Sequence, residues 1–367
     1  LVPYLFGASP AVCKSFLGGK PTSLVDFNEN TYYEPYATSL RMGDIGYQNN
    51  KESETGIKAN YDDLESYTQS LNKAINTPCP EYEKIGIKVD GEYRQLNANI
   101  LQIENEYYSS IRPKRTAASG EHPSQALQRR GVEYIEIRVM DLNPFEPVGI
   151  GITDMRFLDL FATYCLLCES PQMDLSDLHA AKQNVRQVVY SGRNTAIRLC
   201  NSNNQTTLKH WAGDILEKMI PIAELFDRSH GGNNYSAALA AQKEKLAHPE
   251  LTPSAKILEK MESRQQGFYT FAMDQALAHR DHFRARSLDQ ATTTKFEQLA
   301  ASSLKEQGTE RTRFEWGGGE NRPPARVRWR VGAGERRPAT PLTAECPVTG
   351  APHAQSVPRA EERSNHI

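Results

Sequence analysis

The sequence lacks the features that would direct it to a membrane or to nucleic acid. Its 367 residues hold no apolar run close to the roughly 18 to 20 residues that span a bilayer. The opening stretch LVPYLFGASP has no basic segment of the kind that begins a signal peptide. Positive and negative side chains almost cancel, at a formal net charge of −2, so charge gives no reason to expect nucleic acid or a lipid surface as partner. We therefore expect a cytoplasmic protein with no nucleic acid and no membrane among its partners.

Cysteine is also sparse. The six cysteines are scattered, and a chain of this length needs no disulfide framework, so we expect reduced thiols. Cys165 and Cys168 form a C-x-x-C pattern within the apolar run FLDLFATYCLLC, with no second Cys or His pair at metal-binding spacing. Two cysteines buried in a helix are the favoured interpretation, and a redox or zinc role is the alternative.

Two common catalytic motifs are missing. FLGGKP, at residues 16–21, contains Gly-Gly-Lys but lacks the spacing and the Ser or Thr of a phosphate-binding loop. Ser15 and Ser39 have no His and Asp at a recognisable spacing, so a hydrolase triad has no support.

Composition divides the chain into three parts. Residues 1–152 mix loops with strand-like alternation, and we expect them to form a sheet-containing part that carries the chemistry, if there is any. Residues 153–305 favour a succession of helices packed on that part. Residues 306–367 contain no Lys, Asp or Tyr and are rich in Arg, Pro and Gly, so we expect disorder. The abrupt change also fits a tail translated out of frame or from outside the original gene, and a basic RNA-binding tail is a less favoured alternative.

Local patterns in the first part predict one helix and two strand regions. NYDDLESYTQSLNKAIN, at residues 60–76, has apolar residues at helical spacing and Asn60 as its expected N-cap. Residues 84–108 and 131–142 alternate as strands do.

The segment LQIENEYY, at residues 101–108, places charge beside aromatic surface. As a strand it would turn alternate residues to opposite faces. One face would then carry Leu101, Ile103, Asn105 and Tyr107, and the other Gln102, Glu104, Glu106 and Tyr108.

The second strand, within GVEYIEIRVMDL, has a more informative polar face. Ile135, Ile137 and Val139 would share an apolar face, while the opposite face carries Tyr134, Glu136 and Arg138. An ordinary solvent-facing strand with a cross-strand ion pair is one interpretation. A metal–phosphate site is the other, because a carboxylate ligates Mg²⁺ and a guanidinium binds phosphate.

Further candidates lie in neighbouring loops. YATSLRMGDIGY places Arg41 and Tyr47 in a segment punctuated by glycine, and loops on a rigid sheet often carry binding groups. SSIRPKR adds three cations, which could steer anions or form a solvated basic turn: Arg112, Lys114 and Arg115.

Several of these segments, taken together and in order, resemble the proteobacterial type of glutamate–cysteine ligase. The resemblance is dense to about residue 190, weaker to about residue 300, and absent from the tail. The segments that carry it are YLFGASPAVCKSF, GKPTSL, YATSLRMGDIGY, YEKIGI, NANILQIENEYYSSIRPKR, GVEYIEIRVMDLNPFEPVGI and RFLDLF.

The resemblance implies an α+β fold in which a mainly antiparallel sheet, similar to that of glutamine synthetase, is followed by a helical region. It implies three substrates, L-glutamate, L-cysteine and ATP, with Mg²⁺ or Mn²⁺ as the metal. ATP would phosphorylate the γ-carboxylate of glutamate, and the amine of cysteine would displace phosphate. The product, γ-glutamylcysteine, is the first intermediate of glutathione biosynthesis.

By the same resemblance, individual residues take expected roles. Glu136 matches a metal ligand, and Arg138 matches an arginine that contacts the transferred phosphoryl group and the nucleotide. Arg41 matches an arginine directed at anionic groups of the substrate. Two tyrosines, Tyr47 and Tyr108, match residues of the cysteine pocket, and Asn105 matches a nucleotide contact.

One departure from the family pattern concerns the metal. The family has an upstream region that supplies most metal-binding carboxylates and a histidine, and this sequence does not contain it. Because Glu136 alone cannot hold several Mg²⁺ ions, we expect this chain by itself to have little activity. A related ligase with another amine acceptor, and a non-catalytic helical binding fragment, are the alternatives.

Overall fold

The computed structural model describes residues 1–46, 59–118, 120–201 and 204–316, with side chains up to residue 308. Helices account for most of the regular structure, and they concentrate in the second half, as the sequence predicts. They are α1 (Val2–Phe6), α2 (Leu64–Asn76), α3 (Pro80–Ile85), α4 (Pro123–Arg130), α5 (Ile152–Leu167), α6 (Leu175–Ser191), α7 (Leu208–Lys218), α8 (Ile220–His230), α9 (Asn234–Ala247), α10 (Pro253–Ser263), α11 (Phe268–Arg284) and α12 (Gln290–Trp316).

The strands are short, and those of the described sheets pair antiparallel. One sheet has three strands in the order β1-β3-β2, and the others are two-stranded. The fold class is therefore α+β with antiparallel strands, which confirms the expectation. The strands are β1 (Ala11–Cys13), β2 (Val25–Asn28), β3 (Thr31–Tyr33), β4 (Lys88–Val89), β5 (Glu92–Tyr93), β6 (Ile111–Lys114), β7 (Tyr134–Ile137), β8 (Arg198–Asn201) and β9 (Asn204–Thr207).

The main core joins the start of the chain to the helical region. The apolar helix α1 is buried along its length, and the ring of Phe6 lies 5.6 Å from that of Phe157 in α5. Burying such rings supplies much of the free energy that holds elements together. The same core contains Met219, between α7 and α8, and residues of α7, α8 and α9, among them Leu216, Ala223, Ala238 and Leu239.

Helix α2 confirms the predicted helix but begins later. Its N-cap is Asp63, whose side chain accepts a hydrogen bond from the backbone N–H of Ser66 at 2.7 Å. Asn60, the predicted cap, instead accepts from the backbone N–H of Asp62 at 2.6 Å. The chain therefore makes a short turn before the helix starts, because both side chains are good partners for nearby N–H groups.

The predicted strand at residues 101–108 is wrong. Glu104–Glu106 forms a 3₁₀ turn, and alternation fails because Ile103 is 45% exposed while Glu104 is 4% exposed. The physical reason is that Glu104 binds a helix N-terminus, described below, and this interaction draws a charged side chain inward. Elsewhere in the predicted strand region 84–108, only β4 and β5 are strands.

Strand β7 confirms part of the second strand prediction, yet its apolar face is not buried. Ile135 is 45% exposed, and Ile111 on the paired strand β6 is 40% exposed. Among the described residues β7 pairs with β6 alone. The described residues therefore cover the apolar face of this sheet only in part.

The helix cysteines are also placed differently from the prediction. Cys165 and Cys168 are exposed, because the buried part of α5 is its first half, at Phe157 and Leu160. The helix then leaves the core, and Leu166 is 83% exposed. The described residues contain no group of three or more His, Cys, Asp or Glu side chains that could hold a metal ion.

Residues 153–305 form a succession of helices, as the sequence predicts, but the hairpin of β8 and β9 within this region was not predicted. Helix α12 continues past residue 305 to Trp316. The rest of the tail, residues 317–367, lies outside the described residues. No helix in the described part of the chain has the length and apolar character needed to cross a membrane.

Candidate active site

The candidate site is built on the polar face of the two-stranded sheet of β6 and β7. Arg112 lies opposite Glu136, and Lys114 lies opposite Tyr134. Arg112 is 4% exposed and donates through Nη2 to the backbone oxygen of Glu104 at 3.2 Å. The basic segment is therefore a strand with one buried arginine, and the interpretation as a solvated turn is wrong.

Glu136 and Arg138 form the centre of this face. Arg138 Nε donates to Glu136 Oε1 at 2.9 Å, and each side chain is about one-third exposed, at 32% and 33%. The second carboxylate oxygen, Glu136 Oε2, is buried and has no hydrogen-bond donor among the described residues. Lys114 Nζ lies 3.5 Å from this oxygen.

Electrostatics keep Glu136 ionised. Burial raises the pKa of its carboxyl group, but the hydrogen bond and charge of Arg138 lower it. The charges of Lys114 and Arg112 add to this, so the pKa lies below the usual value. A carboxylate among cations, with one oxygen unbound, is chemically suited to ligate a divalent metal.

Arg41 is held in a fixed orientation beside this pair. Its Nε donates to Asp141 Oδ1 at 2.6 Å, and Nη2 donates to the backbone oxygens of Arg138 and Met140 at 3.0 and 2.8 Å. Its Nη1 donates to the hydroxyl of Tyr108 at 3.1 Å. A guanidinium has five N–H donors, so these four bonds leave one N–H of Nη1 without a protein acceptor among the described residues.

Asp141 is the residue that sequence reasoning missed. It is 7% exposed, and its Oδ2 accepts from the backbone N–H of Ala8 and from Ser9 Oγ, each at 2.7 Å. It thus joins three distant segments of the chain at one carboxylate. Two-residue periodicity places Asp141 on the face opposite Arg138, so strand alternation pointed away from it. The signal available in the sequence was that Asp141 lies in GVEYIEIRVMDL, the segment that also contains Glu136 and Arg138.

Glu104 is a second missed residue, and its role is structural. Its Oε2 accepts from the backbone N–H of Ser124 at 2.8 Å, and Oε1 accepts from Ser124 Oγ at 2.6 Å. Both contacts lie in the first turn of α4, where the backbone donors have no partner within the helix. Glu104 therefore fixes α4 against the segment that leads to Tyr108.

The predicted site residues separate into two groups. The structure brings together Arg41, Tyr108, Glu136 and Arg138 through the contacts given above. Asn105 is exposed in the 3₁₀ turn, and no contact joins it to that group. Tyr47 lies outside the described residues, so its role stays a prediction.

Comparison of this chain with known proteins shows the family to which it belongs. The family model for glutamate-cysteine ligase matches residues 1–188. A glutamate–cysteine ligase of Alcanivorax borkumensis is 62% identical over 312 residues, which are 84% of this chain and 59% of the relative. One of Pseudomonas aeruginosa is 48% identical over 307 residues, which are 84% of this chain and 58% of the relative.

A solved structure agrees. The structure of glutamate–cysteine ligase from Francisella tularensis in complex with AMP matches with a TM-score of 0.75 at 36% identity, covering 84% of this chain and 60% of that chain. This chain thus spans about three-fifths of the length of these relatives. Sequence, fold and site geometry agree, and the chain belongs to the glutamate–cysteine ligase family.

Proposed function

We propose that this chain is part of an enzyme that joins the γ-carboxylate of L-glutamate to the amine of L-cysteine, in the cytoplasm, with ATP as co-substrate. The products are γ-glutamylcysteine, ADP and phosphate, and the reaction is the first step of glutathione biosynthesis. Family membership supports the reaction class. The observation that carries the assignment of the site is the Glu136–Arg138 pair, in which one buried carboxylate oxygen lacks a donor among the described residues.

The proposed chemistry has two steps. An oxygen of the glutamate γ-carboxylate forms a bond to the γ-phosphorus of ATP, and the bond from that phosphorus to ADP breaks. The nitrogen of cysteine then forms a bond to the acyl carbon, the carbon–oxygen bond to phosphate breaks, and the nitrogen gives up a proton. Negative charge moves from ATP to the acyl phosphate, so fixed cations beside the transferred group stabilise the transition state.

Arg138 is the cation that we assign to the transferred phosphoryl group. Its Nε donates to Glu136 Oε1, and its backbone N–H donates to the oxygen of Ser110 at 2.8 Å, which fixes the strand. None of the described residues accepts a hydrogen bond from the other guanidinium nitrogens, so a fork of two N–H groups is available for a phosphoryl oxygen.

Arg41 and Tyr108 are assigned to the amino-acid end of the site. Four of the five N–H groups of Arg41 bind the protein, so its direct contact with substrate is limited to the remaining N–H of Nη1. Its larger role is then to position Tyr108 and the end of β7. We assign the Tyr108 side chain to the cysteine pocket and keep Asn105 and Tyr47 as proposed contacts of nucleotide and cysteine.

The residues present fit a metal ion in part. Glu136 Oε2, buried and without a described donor, is the oxygen we assign as ligand to Mg²⁺ or Mn²⁺. When bound, the metal would neutralise phosphate charge. Mg²⁺ takes near-octahedral oxygen coordination, and the described residues contain no group of three or more candidate side chains. That this chain alone has little activity therefore stays a prediction.

The test is a product assay on this chain and, in parallel, on a chimaera in which it replaces its counterpart in the A. borkumensis relative. We expect the chimaera to form γ-glutamylcysteine and to release phosphate only when glutamate, cysteine, ATP and Mg²⁺ are all present. Replacing cysteine by serine or glycine separates this reaction from that of a ligase with another amine acceptor.

Matched variants locate the chemistry. Arg138→Gln in the chimaera should lower kcat by about 100-fold to 1,000-fold, the usual loss for a group that stabilises transition-state charge. Its control is Arg129→Gln, since Arg129 is 69% exposed and pairs with Glu121. Glu136→Gln should raise the Mg²⁺ concentration needed for half-maximal rate, whereas Glu133→Gln, on the opposite face, should not. Equal effects of site and control variants would overturn the assignment.

A further inference from the structure

A cavity lies away from the Glu136–Arg138 pair, where the segment before α5 meets the helical region. It has a volume of about 620 Å³, within the range of roughly 300 to 1,000 Å³ that small-molecule sites occupy. Its walls are the segment 143–154, which includes the start of α5, together with α9 and α10. Charged side chains of both signs line it: Glu146, Asp154, Lys245, Lys256, Glu259 and Lys260.

Two of these charges are already compensated by the protein. Lys245 Nζ lies 3.7 Å from Asp154 Oδ1, and both side chains are largely buried, at 16% and 14% exposure. The ammonium also donates to the backbone oxygen of Leu5 at 3.3 Å and lies 4.8 Å from the centre of the Phe6 ring. This pair therefore forms a fixed polar wall with no net charge.

The other four charges have no such partners. In the part of the chain that the structure describes, no ion pair within 4.0 Å involves Glu146, Glu259, Lys256 or Lys260. Lys256 and Lys260 lie one turn apart on α10, on the same side of that helix. The cavity thus offers two cations and two carboxylates to an occupant, and Glu146 and Lys256 are both close enough to Lys245 to influence its pKa.

A fully buried amide in the same lining gives an independent reason to expect a polar occupant. Gln242 in α9 is 0% exposed and belongs to the cavity wall. Neither Oε1 nor Nε2 of its side chain has a hydrogen-bond partner among the described residues. Buried polar groups of native proteins are nearly always satisfied, by protein, by ordered water or by a ligand.

We propose that this cavity binds a small zwitterion, a molecule that carries an ammonium group and at least one carboxylate, such as an amino acid or a dipeptide. The ammonium binds the carboxylate of Glu146, and the carboxylate binds Lys256 and Lys260. The amide of Gln242, fully buried in the wall, gains a partner when its side chain rotates toward the occupant. An ordinary anion site is disfavoured because the lining has three carboxylates against three ammonium groups. The proposal is independent of the ligase reaction.

The test is a ligand-observed NMR titration of the whole chain with glycylglycine, without ATP or metal. Acetate and methylammonium serve as probes with a single charge. We expect saturable binding of glycylglycine with a dissociation constant in the millimolar range or below, and binding at least about tenfold weaker for either single-charge probe, since each loses one charged contact.

Variants place the binding in this cavity. Lys256→Gln and Glu146→Gln should each weaken glycylglycine binding by about fivefold or more, with circular dichroism spectra unchanged. The matched control is Lys218→Gln, because Lys218 is an exposed lysine at the end of α7 outside the lining. Absence of saturable binding overturns the proposal. So does binding that the cavity variants leave unchanged, and so does acetate that binds as well as glycylglycine.

Discussion

Removing the charge of Asp141 should destabilise the protein far more than removing the charge of an exposed aspartate. Asp141 is 7% exposed and accepts three hydrogen bonds, from Arg41 Nε at 2.6 Å and from Ala8 N and Ser9 Oγ at 2.7 Å. Asp141→Asn keeps the shape but replaces one acceptor oxygen by an NH₂ group. With the amide oxygen directed at Ala8 and Ser9, the NH₂ group must face the Nε–H of Arg41, so donor meets donor.

The magnitude follows from burial. Breaking a buried ion pair costs about 3 to 5 kcal/mol. The Arg41 side chain is 31% exposed, so water replaces part of the lost interaction. We therefore expect Asp141→Asn to lower the free energy of unfolding by about 2 to 3 kcal/mol. In urea, that corresponds to a midpoint lower by about 1 M for a slope of about 2 to 3 kcal/mol per M.

The assay is urea unfolding followed by far-ultraviolet circular dichroism. Its control is Asp44→Asn, because Asp44 pairs with Arg186 at the surface, where the two side chains are 51% and 58% exposed. That exposed pair should contribute no more than about 1 kcal/mol. If the two variants shift the midpoint equally, or if Asp141→Asn leaves it unchanged, the anchoring role of Asp141 is refuted.

Three further outcomes follow from the same contacts. Glu104→Ala should lower the free energy of unfolding in urea by about 2 to 3 kcal/mol, because two buried hydrogen bonds to the start of α4 are lost. The control Glu106→Ala, at an exposed residue, should lower it by less than about 1 kcal/mol. Similar losses in the two variants would contradict the capping role of Glu104. Gly7→Ala should destabilise by about 2 kcal/mol or more, since the new Cβ would overlap the backbone oxygens of Pro3 and Thr38. Gly213→Ala in α7, where the nearest neighbour of the new Cβ is at 3.9 Å, should instead stabilise by up to about 1 kcal/mol. Thermal unfolding that ranks the two variants in the opposite order would disprove this account. The pKa of Glu136 is lower in the folded protein than its ordinary value of 4.5. The ionised carboxylate therefore contributes fully to stability above pH 4.5, and this contribution is lost as the pH falls through the lowered pKa. An NMR titration of the carboxyl group that gives a pKa at or above 4.5 would contradict this prediction.

The helices could be predicted from the sequence because the features that indicate a helix are local. Apolar spacing and a capping aspartate are properties of neighbouring residues, and α2 lies within the predicted segment with only its cap displaced by three positions. The same holds for α5 to α9, whose buried apolar residues join the main core. It also holds for α10 and α11, whose buried residues form a second core with Ala8 and Ala11. Burial at a helix end depends instead on where the neighbours stop, and for that reason Cys165 was misjudged.

The residues of the candidate site could be predicted only in part, because the contacts among them are long-range in sequence. Alternation identified Glu136 and Arg138, since both side chains lie on one face of β7. It could not identify Asp141, whose partners are 133 and 100 residues away at Ala8 and Arg41. It also misassigned the segment around Glu104, since a bond to a helix N-terminus 20 residues later leaves no periodic mark. Family resemblance supplied the reaction, and the structure supplied the anchoring residues.

The most direct test of the central claim is an isotope transfer in the chimaera described above. Glutamate labelled with ¹⁸O in its γ-carboxylate is supplied with ATP, Mg²⁺ and cysteine, and the released phosphate is analysed by mass spectrometry. Phosphorylation of the γ-carboxylate predicts one labelled oxygen in each phosphate, formed at a rate that Arg138→Gln lowers by about 100-fold or more. Phosphate without label, or label whose rate of appearance is unchanged by that substitution, would contradict the account.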